Sequence, residues 1–79
     1  MADRKSIEEL IRQGLECTHV EVRGDDGAHF EALVVSPAFA GLARVRRHQL
    51  VYAALGDGMR EEIHALSMQT LSPEEWADR

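Results

Sequence analysis

The imidazoles of His19, His29, His48 and His64 and the thiol of Cys17 are the groups in this chain best suited to ligate a metal or move a proton. None of them stands in a catalytic constellation. Cys17 has no activating neighbour in its segment, and no histidine is placed in a recognisable relation to a serine and a carboxylate. Ser6, Ser36 and Ser72 occupy cap and turn positions. Glu8-Glu9, Glu61-Glu62 and Glu74-Glu75 are sequence neighbours, and adjacent helical residues do not converge as a general acid and base must. No independent enzyme is expected.

Counting donors says more. A single cysteine rules out an intramolecular disulfide and makes a reducing compartment the default. One thiol and scattered imidazoles do not complete a four-ligand zinc or iron–sulfur site. Any metal or cluster held here would be shared with a molecule that brings thiolates. His29 and His64 lie 35 positions apart, which matches no zinc-finger spacing. Each opens a strand, where an imidazole reaches solvent or a partner. Taken alone, both read equally well as ordinary structural residues. His19 reads as a surface residue of a strand, and His48 as a packed or capping residue of a helix start.

Arg44, Arg46, Arg47 and His48 fall within five positions of a chain whose formal charge is −5. That balance argues against a protein built to coat nucleic acid. The local cluster fits either a solvated helix face or a site for an anion or acidic partner. Gly24-Asp25-Asp26-Gly27 superficially matches the backbone-clamping loop of KH domains, but it joins two strands and its acids would repel phosphate.

The elements that must position these groups follow from periodicity. Ser6-Ile7-Glu8-Glu9 reads as a capping box. Ile7, Leu10, Ile11 and Leu15 recur behind it at helical spacing, giving an amphipathic helix over residues 6–16. Residues 18–23 alternate, with Val20 and Val22 on the apolar side; residues 24–27 turn; residues 29–35 resume with Phe30, Ala32 and Val34 facing inward. The two strands make an antiparallel hairpin. Ser36-Pro37 ends it, and a connection holding Phe39 and Gly41 leads into a long helix over about 43–60. Val51, Ala54, Leu55 and Met59 mark its inner face, with Val45 and His48 one and two turns earlier, and Gly56 and Gly58 weaken its end. Residues 63–70 form a third strand. Ser72-Pro73-Glu74-Glu75 starts a short terminal helix, with Trp76 expected to close over the core. The result is one α+β domain over residues 1–79, with a mixed three-stranded sheet and helices packed on one face. A domain this small buries only about 60% of its unfolded surface. The segment after Met1 is amphipathic rather than apolar, so neither a signal peptide nor a membrane span is expected and a cytoplasmic location is.

Phe39 and Gly41, Arg47-His48-Gln49-Leu50-Val51-Tyr52, Leu55, Ile63-His64-Ala65-Leu66 and Thr70 through Trp76 together resemble the BolA family, most nearly its short bacterial members. The resemblance spans nearly the whole chain. It implies a class II KH-like fold in the order α-β-β-α-β-α. It also implies partnership with a monothiol glutaredoxin, the two proteins sharing a [2Fe–2S] cluster for which the glutaredoxin and glutathione supply thiolates and the BolA protein a histidine. The matching histidine is His64. Relatives often add a Cys or His from the loop between the first two strands. Residues 24–28 contain neither, so His29 is the nearest candidate. The family is also linked to stress response and transcriptional control, which would put DNA contact at Arg44, Arg46, Arg47 and His48. The chain alone is expected to be a monomer or a weak homodimer.

Overall fold

A computed structural model describes residues 3–24, 29–62 and 65–79, with backbone only for residues 58–62 and 65. The elements are α1 (Arg4–Gly14), β1 (His19–Arg23), β2 (His29–Val35), a 3-10 turn (Pro37–Phe39), α2 (Arg44–Glu62), β3 (Ala65–Leu71) and α3 (Pro73–Asp78). The expected order is therefore the observed one.

α1 starts one turn earlier than its sequence signature suggests. Asp3, not Ser6, is the N-cap: its carboxylate accepts from the Ser6 N–H, and its carbonyl accepts from the Ile7 N–H. Arg4 and Lys5 are good helix formers, so the chain takes the earlier of two usable caps.

The sheet has strand order β1-β2-β3, with β1 antiparallel and β3 parallel to the central strand. In that register Val20 and Val22, Phe30, Ala32 and Val34, and Leu66 and Met68 turn to one face. Ile7 and Ile11 of α1 and Val51 and Leu55 of α2 close on that face, with Phe39 sealed among them. The β-branched inward residues favour strand geometry and fill the layer under the helices.

The two long helices touch closely where Gly14 faces Ala54. A Cβ on Gly14 would stand 2.7 Å from the Ala54 Cβ, so the contact needs a glycine. α2 breaks at Gly56, whose φ of 80° lies in the left-handed region that glycine enters without strain. The weakness read from Gly56 is thus a real break.

α3 departs from expectation. Its capping box forms as read, between Ser72 and Glu75. Trp76, however, does not join the core. It stacks on His19, whose side chain alternates away from the helix-covered face, with ring centroids 5.0 Å apart. The short helix turns its aromatic to the opposite side of the sheet. Among the described residues, no helix is long and apolar enough to cross a membrane.

Gly14→Ala should destabilise the fold by about 1–3 kcal/mol through overpacking, although alanine is the better helix former. Ala54→Gly in the same chain should recover most of that loss. Urea denaturation of the single and double variants checks both.

Candidate functional site

The basic start of α2 brings arginines into the first turn of a helix that has no acidic residue there. Cations at that end oppose the helix dipole, so each requires local compensation or full hydration. The structure divides the four residues between these two solutions.

Arg47 turns inward, with a side chain only 12% exposed. Its Nε donates to the Leu42 carbonyl at 2.8 Å and its Nη1 to the Thr70 carbonyl at 2.9 Å. Nη1 and Nη2 also grip Glu75, at 2.7 and 3.3 Å from the two carboxylate oxygens. The guanidinium lies over the buried Phe39 ring, 5.9 Å from its centroid. One fork thus ties the entry of α2, the end of β3 and the start of α3. Glu75 carries a double load, because it also accepts from the Ser72 N–H at 2.8 Å. Arg47 first, and then that backbone donor, pull the Glu75 carboxyl down to about 2.

Arg44 and Arg46 are exposed and flank Val45, which is not on the inner face as its spacing suggests: it is 67% exposed and has no place in the core. His48 is half-buried, and its Nε2 lies inside without a hydrogen-bond partner. Only two of the four residues therefore present their charge to solvent at the helix start.

The candidate ligands separate by sheet end. His29 opens β2, is exposed, and pairs in register with Ala65. That register sets it one position in sequence from His64, which lies outside the described residues. Cys17 precedes β1, whose first residue pairs with Val35 at the other end of β2. Six residue steps along the strand separate His29 from Val35, about 20 Å. The Cys17 thiol donates to the Leu15 carbonyl at 3.3 Å, and burial pushes its pKa up. A protonated, half-buried thiol at the far end cannot join His29 in a ligand set. Among the described residues, no three His, Cys, Asp or Glu side chains group closely enough to hold an ion.

His19, read as plain surface, is held between neighbours. Its ring stacks on Trp76, its Nε2 lies 3.7 Å from Glu21, and the Arg79 guanidinium covers the Trp76 ring at 3.5 Å. Glu21 is pulled below the usual carboxylate range, first by its hydrogen bond from Arg23. Glu21 and Arg23, with Glu31, Leu33, Ser67 and Gln69, line a shallow concavity of about 350 Å³ on the open sheet face. Glu21 is already paired with Arg23 at 2.6 Å and is not poised as a base.

The family model described as BolA-like protein matches residues 11–75. The chain belongs to the BolA family. It is 34% identical to the acid stress protein IbaG of Escherichia coli K12 over 76 residues, covering 95% of this chain and 89% of that protein. It is 45% identical over 58 residues to the DNA-binding transcriptional regulator BolA of Vibrio cholerae, covering 73% of this chain and 54% of that one. A BolA homologue from Coxiella burnetii, 44% identical, superposes with a TM-score of 0.84 over 98% of this chain and 99% of its own. These BolA relatives are named as stress proteins or regulators, not as enzymes.

The Arg47 fork is what reading the sequence of this BolA protein missed. Glu75 was legible as the third residue of a capping box. Its partner, 28 positions away, carries no local signal.

Arg47→Ala should cost roughly 2–4 kcal/mol, since it leaves the Leu42 and Thr70 carbonyls and a capping carboxylate without their donor. Arg47→Lys should restore only part, because an ammonium cannot reproduce the fork. Glu75 is depressed in the folded state, so its contribution is fully present above about pH 4.5 and is lost as pH falls toward 2. Chemical denaturation across that window should show a slope in the wild type that Glu75→Gln flattens.

Proposed function

We propose that this BolA-family chain is a cytoplasmic, non-enzymatic partner of a monothiol glutaredoxin, accepting or sharing a [2Fe–2S] cluster through His64, with His29 as the nearest second donor. The observation that carries this reading is the separation of donors. The register brings His29 beside Ala65, next in sequence to His64, while the one thiol is protonated and tied at the opposite end of the sheet. A protein with the His29 imidazole exposed at one end of the sheet and no thiolate beside it suits a cluster whose sulfur ligands belong to another molecule. When bound, the cluster would supply electron transfer or iron delivery. The chain's own residues supply the rest. An exposed imidazole at a strand start approaches a docked partner without unfolding anything, and it binds iron only in its neutral form, so ligation weakens in acid.

A second reading draws support from the printed name of the Vibrio cholerae relative, a DNA-binding transcriptional regulator. Arg44 and Arg46 are the charges available to it; Arg47 is engaged internally. Two phosphate contacts give a salt slope of only about −2 in log affinity against log salt, hence weak binding. The basic helix start serves equally to meet the glutathione carboxylates of a docked glutaredoxin.

Adding the chain to a glutaredoxin reconstituted with glutathione, iron and inorganic sulfide should alter the visible circular dichroism of the cluster. His64→Ala should abolish the change and His29→Ala should reduce it. A spectrum that does not respond to the wild-type chain would remove the first reading. DNA affinity measured against salt, with an Arg44→Ala/Arg46→Ala variant of identical affinity and slope, would remove the second.

A further inference from the structure

β1 and β3 are the two edges of the sheet, and the molecule treats them differently. The Leu71 carbonyl accepts from the Ser36 N–H, which fixes the parity of β3. Ala65, Ser67, Gln69 and Leu71 direct their backbone groups to β2, while Leu66, Met68 and Thr70 direct theirs outward. On β1 the outward residues are Val20 and Val22. Both are covered by α1: the Val22 N–H donates to Glu8 at 2.9 Å, and Arg12 reaches the Val20 carbonyl at 3.5 Å. On β3 the Thr70 carbonyl is covered by Arg47. Among the described residues, the outward groups of Leu66 and Met68 have no such cover. From Ala65 to Leu71 the strand also carries no charge and no proline, the usual protections of an edge, in a chain that is 29% charged.

We propose that this stretch is a self-association edge, at which two copies of the chain pair antiparallel about a two-fold axis through Ser67. That register sets Leu66 opposite Met68 of the second copy, and Met68 opposite its Leu66. Each pair exchanges both backbone hydrogen bonds, four in all. The occupant is a second copy because the open stretch is its own complement: two outward residues flank one inward residue. The pairing also limits itself, since one further step would call on the Thr70 carbonyl that Arg47 already occupies. A neutral strand lets two chains of charge −5 meet without like charges at the contact. The two Ser67 side chains meet on the open face, and the half-buried Leu66 and Met68 meet across the axis on the other. Four hydrogen bonds and two apolar pairs fall short of the ~1,200 Å² of a standard interface, so the dimer is weak and exchanging, with a Kd on the order of 100 µM to 1 mM. This surface is independent of the cluster reading above.

Sedimentation equilibrium of the full chain in reducing buffer, from about 10 µM to about 1 mM, tests it. The weight-average mass of the wild type should rise from 8.8 kDa toward twice that value. Ser67→Lys and Ser67→Glu, each alone, should associate about tenfold more weakly, because like charges then face each other across the axis. Mixing the two in equal amounts should regain or exceed wild-type association, a rescue that a folding defect cannot produce. Met68→Pro deletes an outward N–H that β2 does not use and should leave a monomer with an unchanged far-UV spectrum. A wild type that stays monomeric throughout, Ser67 variants that associate as tightly as wild type, or a mixture without rescue would each overturn the proposal.

Discussion

The guanidinium of Arg47 is the constraint on which the C-terminal half of the molecule depends. A cation at the first turn of α2 sits at the wrong end of a helix dipole, and burying it nearly completely adds a desolvation cost. Both are offset only because Leu42, Thr70 and Glu75 converge on one fork with donor–acceptor distances of 2.7 to 3.3 Å. The consequence is geometric. The 3-10 turn, the start of α2, the end of β3 and the start of α3 cannot move independently, since α2 contributes the guanidinium and the others the ring beneath it or its acceptors. Glu75 links the fork to the Ser72 cap, so the terminal helix is held by the same carboxylate that starts it.

The two long helices do related work at the two edges of the sheet. Glu8 and Arg12 of α1 bond to the outward backbone groups of β1, and Arg47 of α2 bonds to the last outward carbonyl of β3. Polar side chains on the flanks of helices whose inner faces are apolar thus complete backbone hydrogen bonding that a three-stranded sheet leaves open. Only β2, paired on both sides, needs no such help. Its two ends consequently become the places where side-chain chemistry collects: Cys17, His19 and Trp76 near Val35, His29 at the opposite start.

What the sequence made legible follows from how local each cause is. The alternation in residues 18–23 and 29–35 is visible because one face of each strand is buried, and a one-residue slip would expose all of it. The break at Gly56 and the cap at Ser72 are likewise properties of a few neighbouring residues. The start of α1 was misplaced because Asp3 and Ser6 both qualify as caps, and the choice rests on how far Arg4 and Lys5 extend the helix. Trp76 was assigned to the core on hydrophobicity alone. The structure instead gives it a flat partner in His19 and a cation in Arg79, contacts available only once β1 and α3 are brought together. The basic cluster was legible as either a solvated helix face or a site for an anion or acidic partner. Its division, with Arg47 inside and Arg44 and Arg46 outside, depends on acceptors 23 and 28 residues away.

The same topology bears on the proposed cluster sharing. The lone thiol donates to the Leu15 carbonyl and its pKa is raised by burial, which disfavours the reactive thiolate form. The only thiol of the chain is thereby withheld, which leaves the imidazoles as the donors the proposed function would use. The His29 imidazole is exposed at a strand end and lies outside the apolar cluster, so a ligand could reach it without reorganising the core. Holding a cluster alone would demand several thiolates close together, and 79 residues with one cysteine cannot provide them without a second molecule. Under the proposed function, the cluster would therefore be shared with a partner that supplies its thiolates, and not held by this chain alone.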